Sequence, residues 1–572
     1  MVFKKINFLR KPIWIIATLL VATSSAFAQE TAHVAADPLL DLSLEQLMDV
    51  EVTSMMKTTT RLSETPGAIF VLTNDDIRRT GATSIPEALR VVPGLNVSRI
   101  DTNEWAITAR GFNSQFANKL LVLVDGRSVY TPQYSSVCWD QQDVMMEDID
   151  RIEVIRGPGA SLWGANAVNG VINIITKSAK NTQGGLVSVH AGDERGGAGL
   201  RYGAKIGDDA FIKLYGRTAM HSGESEPGSN ANAGDISRLN KAGFRFEKEI
   251  TANNKLTFQG DVFTGESGSA KSWFPNLTAS LTPTLTPHYS ILLRPTQTYK
   301  GYNLESRWEQ RQSDYSNTSL QLYWNNQERT SSNVNTTITT DTLDVDFQHN
   351  LKVSSRQNWV WGLGYRRNML DTSAGFILSA TNKQHKDDIL SVFMQDDITF
   401  VPQKWKLTLG SRIEHNPDTG YEVEPNARLL WTPNEYQSVW ASVSHAVRTP
   451  NWVQHNSIYS LQIIPPTSLM PLPMMVGVLG STNSVSEKLI AYELGWRGVI
   501  RPSLTADISL YYYNYKDIQS TTPNPIDFSH IGSGYLLQTI SFSNYGKAQT
   551  YGGELSLDWQ VMDNWKLRVS YS

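Results

Sequence analysis

The side chains of this 572-residue chain that could carry chemistry do not assemble, by type and spacing, into a catalyst. The 10 histidines show no paired spacing of the kind a metal site needs, no Gly-x-Ser-x-Gly nucleophile elbow occurs, and no Walker motif is present. Gly157-Pro158-Gly159 could begin a phosphate-cradling loop, but no Gly-Lys-Ser/Thr follows it. The acidic pairs Asp75-Asp76 and Asp208-Asp209 suit solvated turns or helix starts better than general acid–base work. The single cysteine, Cys138, excludes an internal disulfide framework and a thiolate metal cluster, and reads as a small buried hydrophobe. These residues predict a protein that is not an enzyme and carries no cofactor or catalytic metal.

The elements that would position any other site fall into regions of different texture. Lys4, Lys5, Arg10 and Lys11 precede a short apolar stretch from Ile13 to Ala22, and Ala26-Phe27-Ala28 follows as a small-x-small cleavage site. That pattern predicts a signal peptide over residues 1–28, because spanning a bilayer as a helix takes about 20 apolar residues. The mature chain is then exported, and no later run is long enough for a membrane helix. A net charge of -4 argues against a nucleic-acid partner. Residues 29–58 form a polar lead-in, and residues 59–180 read as a compact mixed α/β domain. Expected strands there are Ala68–Thr73, Ala106–Arg110, Leu120–Asp125, Ile149–Ile155 and Val171–Thr176. Expected helices are Thr73–Gly81 and Ser84–Gly94, each with a polar N-cap and a glycine stop.

After Gly184, segments of about ten residues alternate apolar with polar, the period of a strand with two unlike faces. In Leu504–Tyr512 one face carries Leu504, Ala506, Ile508, Leu510 and Tyr512, and the other Thr505, Asp507, Ser509 and Tyr511. Ile490, Tyr492, Leu494 and Trp496 alternate in the same way with Ala491, Glu493 and Arg497. A soluble sandwich would bury the apolar face on another sheet, and a membrane barrel would turn it to lipid. With 16 Trp and 22 Tyr, some placed near strand ends like Trp405 and Trp565, an aromatic girdle is available. Roughly eighteen strands fit between Gly184 and Ser572, in the range of large outer-membrane barrels. Long connections are expected at about 222–237, 264–299, 370–388, 448–487 and 518–540.

Three segments carry a family resemblance. They are Arg110-Gly-Phe112 followed by Leu120–Tyr130 (LLVLVDGRSVY), Ile152–Thr176 (IEVIRGPGASLWGANAVNGVINIIT), and Asp49–Ser54 (DVEVTS). Together they closely resemble the TonB-dependent receptor family, and Ser444–Pro450 and Ser486–Gly495 look like its barrel. The resemblance implies a large transmembrane antiparallel β-barrel, 22 strands when complete, plugged by an N-terminal α/β domain. The implied boundaries are 59–180 for the plug and 181–572 for the barrel. The last segment, Trp565–Tyr571, ends without a terminal aromatic, so a C-terminally incomplete barrel is expected. The implied location is the outer membrane of a Gram-negative bacterium, in contact with its lipid.

The implied activity is energised uptake of a scarce solute, with a ferric siderophore as first choice. Cobalamin, haem, other metal chelates and oligosaccharides stay open, and a passive porin or adhesin is the rival of a different class. The implied partners are TonB, driven by ExbB and ExbD, and a small-molecule chelate. Asp49, Val50, Glu51, Val52, Thr53 and Ser54 are the expected TonB box, whose alternating valines suit strand addition to a partner's sheet. Residues matching the plug's outward loops offer aromatic faces at Phe116, Tyr130, Tyr134 and Trp139. Beside them stand the amides Asn113, Gln115 and Gln133, a mixture that suits a bulky, partly apolar ligand. The strongest expectations are Gln115, Phe116 and Tyr134, and packing of plug against barrel is the competing role for each aromatic. Within such a plug, Arg110, Asp125, Glu153 and Arg156 can pair with each other or with the barrel lumen, or face solvent. The glycines at 157, 159, 164 and 170 permit tight turns and a close approach of plug to wall.

Overall fold

Ala68–Thr73, Ile149–Arg156, Gly170–Thr176 and Leu120–Val124 are runs of aliphatic and β-branched residues, and they line up in that order, with Arg127–Ser128 last, in a small mixed sheet. The computed structural model describes residues 51–572 except 54, 226–231, 270–271, 276–288, 333–334, 374, 376 and 563. The expected signal peptide, the lead-in to residue 50, and Asp49, Val50 and Ser54 of the expected TonB box therefore lie outside the described residues. Within the sheet, Ile149–Arg156 pairs antiparallel with both neighbours, whereas Gly170–Thr176 pairs parallel with Leu120–Val124.

The helix Asn74–Thr80 begins at a reciprocal capping box between Thr73 and Asp76 and stops at Gly81, whose φ of 69° is left-handed. The second helix is shorter than expected. It covers Ile85–Ala88 and tightens into a 3-10 turn over Leu89–Val91, because Pro93 drives Val92 into an extended conformation. A hairpin of Leu95–Arg99 with Trp105–Ala109 completes the domain, and its first strand, though alternating, is only five residues long and was not among the expected strands. Ile77, Ile85, Leu89, Ile152 and Ile172 meet in its core.

From Gly184 onward the described residues form a 20-stranded sheet, with a separate hairpin of Ser272–Pro275 and Ser290–Leu293. The alternation translates directly into two environments. Ile508, Leu510 and Tyr512 are exposed outward, as are Ile490, Tyr492 and Leu494, while Ser509, Glu493 and Arg497 are buried toward the plug. Trp405 and Trp431 are register partners and stack with centroids 5.5 Å apart, as a girdle at a membrane interface would. Short turns close one end of the barrel and long connections the other.

One expected connection differs. In place of a loop over 518–540, the strands Leu504–Pro523 and Leu536–Met562 run on for 20 and 27 residues, about twice what a bilayer crossing takes. Three shorter strands inside the long connections join this extension. Leu378–Ala380 pairs with Ser457–Ile464, that strand pairs with Met474–Leu479, and the last pairs in parallel with Leu536 to Ser541.

Candidate functional site

The plug is clamped in the lumen by its arginines. Arg110 Nε and Nη2 donate to Glu554 (2.8 and 3.1 Å), and its Nη1 reaches Glu493 and the Tyr513 hydroxyl. Arg156 Nη1 donates to the same Glu554 at 2.9 Å, and Lys119 and Arg448 share Glu487. Arg110, Arg156, Glu493, Glu554 and Glu487 are all buried. The paired reading of these charges holds, and the solvated one does not. Glu153 is likewise fully buried, accepting from Arg151 Nε at 2.8 Å, and Asp125 accepts from the Thr176 amide at 2.8 Å.

Two glycines make room for the clamp. Gly94 (φ 74°) and Gly157 (φ 128°) lie where a Cβ would collide with the carboxylates of Glu554 and Glu493 respectively. Arg110 itself has φ 57°, followed by Gly111 at 113° and Phe112 at 60°, so the backbone doubles back to aim the guanidinium. Of the other motif glycines, Gly164 approaches Arg412 and Glu414 of the wall, whereas Gly159 and Gly170 abut the plug itself.

At the long-loop end, Phe116 stands 47% exposed and stacks on Tyr134 with centroids 4.7 Å apart. Gln115 donates to Glu104, and Asn113 Nδ2 donates to Ser98 Oγ at 3.2 Å. The other expected ligand residues do not join them. Trp139 is packed into the plug core. Tyr130 lies in the apolar cluster between plug and barrel and donates its hydroxyl to the Asn118 carbonyl at 2.7 Å. Gln133 is buried and accepts from Thr340 Oγ1 at 3.1 Å. A short helix, Trp452–Asn456, rests on the backbone of the 132–134 segment. The amides of Trp452 and Val453 donate to the carbonyls of Pro132 and Gln133, and Asn451 Nδ2 donates to that of Tyr134.

The same face holds a charged group that the sequence did not signal, because its members come from distant elements. Glu104 lies with Asp101 and Asp140 near Arg329, which pairs with Asp140. Burial first, then the charges of Asp101 and Asp140, pushes the Glu104 carboxyl up from 4.5 to about 7. A raised folded-state value means that ionising Glu104 opposes the folded arrangement. That cost begins as pH rises past 4.5 and is complete above about 7. Hydrogen exchange of residues 101–116, corrected for its intrinsic pH dependence, is expected to speed up as pH rises from 4.5 to about 7 in the parent and to do so less in Glu104→Gln, where the raised carboxyls of Asp101 and Asp140 remain.

At the short-turn end, Glu51–Val52 pairs antiparallel with Thr60–Arg61, and the Thr53 amide donates to Glu153 Oε2 at 3.1 Å. Val52 is fully buried. A cavity of about 890 Å³ lies beside this segment, lined by Thr53, Lys57 and Thr60, by Asp125 and Arg151 of the plug, and by Asp346, Arg366 and Arg412 of the wall. It reaches the turn residues Ser355 and Arg356.

Residues 61–171 match the family described as TonB-dependent receptor plug domain, and residues 197–572 match TonB dependent receptor-like, beta-barrel. Over 99% of its length the chain is 24% identical to an iron-regulated outer membrane virulence protein of Vibrio cholerae, covering 82% of that relative. Over a shorter stretch, 23% of this chain and 21% of the relative, it is 36% identical to a vitamin B12 transporter of Vibrio vulnificus. Its fold is similar to the crystal structure of a ferric enterobactin receptor mutant of Pseudomonas aeruginosa in complex with enterobactin. There the TM-score is 0.70 at 19% identity, with 89% of this chain and 81% of that one covered.

Proposed function

This chain belongs to the TonB-dependent receptors of the Gram-negative outer membrane, transporters rather than enzymes, and on that premise we propose that it imports a ferric siderophore. The carrying observation is the stack of exposed Phe116 on half-buried Tyr134, beside Asn113 and Gln115 at the long-loop end. An apolar platform with a few orienting amides is how proteins hold bulky, partly apolar ligands. Energy comes from TonB with ExbB and ExbD, recruited by strand addition to Asp49–Ser54, of which the described residues 51–53 lie at the other end of the plug.

The charge around the stack narrows the substrate class. Asp101, Glu104 and Asp140 stand there against Arg329, which is already engaged by Asp140. Such a face repels a polyanion and favours a neutral or cationic ferric chelate, of the hydroxamate rather than the catecholate type. Replacing Gln115, Phe116 and Tyr134 together by alanine is expected to weaken surface binding of a neutral ferric trihydroxamate at least about 10-fold, by loss of the stacking platform. The amount of heat-modifiable folded barrel should not fall. Parent-like affinity in that variant would move the site to the barrel loops, and a preference for a ferric tris-catecholate would overturn the charge argument. Labelled cobalamin belongs in the same assay, given the vitamin B12 transporter similarity.

A further inference from the structure

His385 and Asp387 stand two apart on the strand Gln384–Val401, so both project from the same face. Asp418 comes from the tight turn between Trp405–Asn416 and Gly420–Asn434, at the same long-connection end of the barrel. One ligand atom from each of these three residues lies within 4.8 Å of the others. His385 Nε2 is 2.5 Å from Asp387 Oδ1 and 3.8 Å from Asp418 Oδ2. Those separations bracket the edge of a tetrahedron with metal–ligand bonds of 2.0–2.1 Å, about 3.3 Å.

Both carboxylates turn an oxygen to the same ring nitrogen of His385, an arrangement of like charges that a bound cation would relieve. A fourth residue, His455 of the helix Trp452–Asn456, is only 6% exposed, and its Nε2 is buried without a hydrogen-bond partner. The charges of Asp418, His385 and Asp387 all bear on its imidazole. Buried polar atoms are nearly always partnered, so the unpartnered His455 nitrogen within the field of this cluster calls for a ligand of its own.

We propose that His385, Asp387 and Asp418, completed by His455, form a binding site for a divalent transition-metal ion of the zinc type. Two imidazoles and two carboxylates are a borderline-hard donor set that suits zinc and its neighbours better than calcium. The bound ion ties the strand following the 373–383 connection to the 417–419 turn and to the helix that rests on Pro132, Gln133 and Tyr134. Its role is to pin the loops over the plug, and it does not depend on which solute is transported.

The test uses the full chain in detergent micelles free of lipopolysaccharide, stripped with chelator and titrated with Zn²⁺ alone by calorimetry. Co²⁺ serves as a visible-absorption probe of the ligands. One equivalent is expected to bind and to slow hydrogen exchange at residues 416–420 and 451–456. Asp418→Asn, in a surface turn, and His455→Gln should each weaken binding at least about 10-fold, the lower end of what even outer-shell changes cost at metal sites. Both variants should keep heat-modifiable mobility, and both should alter the Co²⁺ spectrum. Absence of stoichiometric uptake by the parent overturns the proposal. So does unchanged affinity in the folded Asp418→Asn and His455→Gln proteins.

Discussion

Replacing Arg110 by alanine is expected to cost the plug about 3–5 kcal/mol of its hold on the barrel, the range for breaking a buried ion pair from one side. The loss is large because Glu493 and Glu554 stay behind in a dry wall, and only Glu554 keeps a second arginine, Arg156 at 2.9 Å. The chain carries its own reporter. Cys138 is a half-buried plug residue, and burial pushes its thiol up to about 11, so it reacts slowly until the plug opens. In a urea series, the midpoint for Cys138 labelling should fall clearly in Arg110→Ala while the barrel still migrates as folded. Adding Glu493→Gln to that variant should recover part of the loss, since it removes a stranded charge. An unchanged midpoint in Arg110→Ala would mean that the clamp contributes nothing to plug retention.

Val52→Pro is expected to reduce uptake at least about 10-fold while leaving surface binding of the substrate intact, because proline removes the backbone donor that strand addition needs. The structure sharpens the experiment. Val52 is buried and paired with Thr60, so the segment has to leave that partner before TonB can take it up. Proline at 52 weakens the resting pair too, which makes release easier; lost uptake would therefore reflect failed recruitment, not failed release. Thr60→Pro loosens the same pair from the other side and leaves residues 49–54 unchanged. Uptake should survive there, and loss in both variants would assign Glu51–Val52 a purely structural role.

The barrel was legible because lipid imposes a period of two along every strand, as Leu504–Tyr512 illustrates. The plug sheet was legible because Ala68–Thr73, Leu120–Val124 and Gly170–Thr176 are nearly continuous aliphatic runs, mostly buried on both faces. Helix Asn74–Thr80 was legible from its caps alone. What escaped depends on contacts between distant segments. Nothing local distinguishes Phe116, which stays exposed, from Trp139, which sinks into the core; the difference is made by packing against plug residues distant in sequence, such as Ile77 and Ile85. Strand pairing beyond Asp517 was hidden by Asn524, Pro525 and similar loop-like residues, although Pro523 still pairs with Ile540. His385, Asp387, Asp418 and His455 have no metal-like spacing, since three elements deliver them.

The extended strands above the membrane have an evolutionary consequence. Since Leu378–Ala380, Ser457–Ile464, Met474–Leu479 and Leu536 to Ser541 are knitted edge to edge, the three connections that carry them make up one hydrogen-bonded collar. Recognition surfaces built from separate loops can be exchanged piecemeal, each loop being replaced without disturbing its neighbours. This mouth is not modular in that sense. Grafting any one of its connections from a relative would leave at least one edge without a partner, so a change of cargo by recombination has to move residues 373–383, 449–486 and 524–541 as a set.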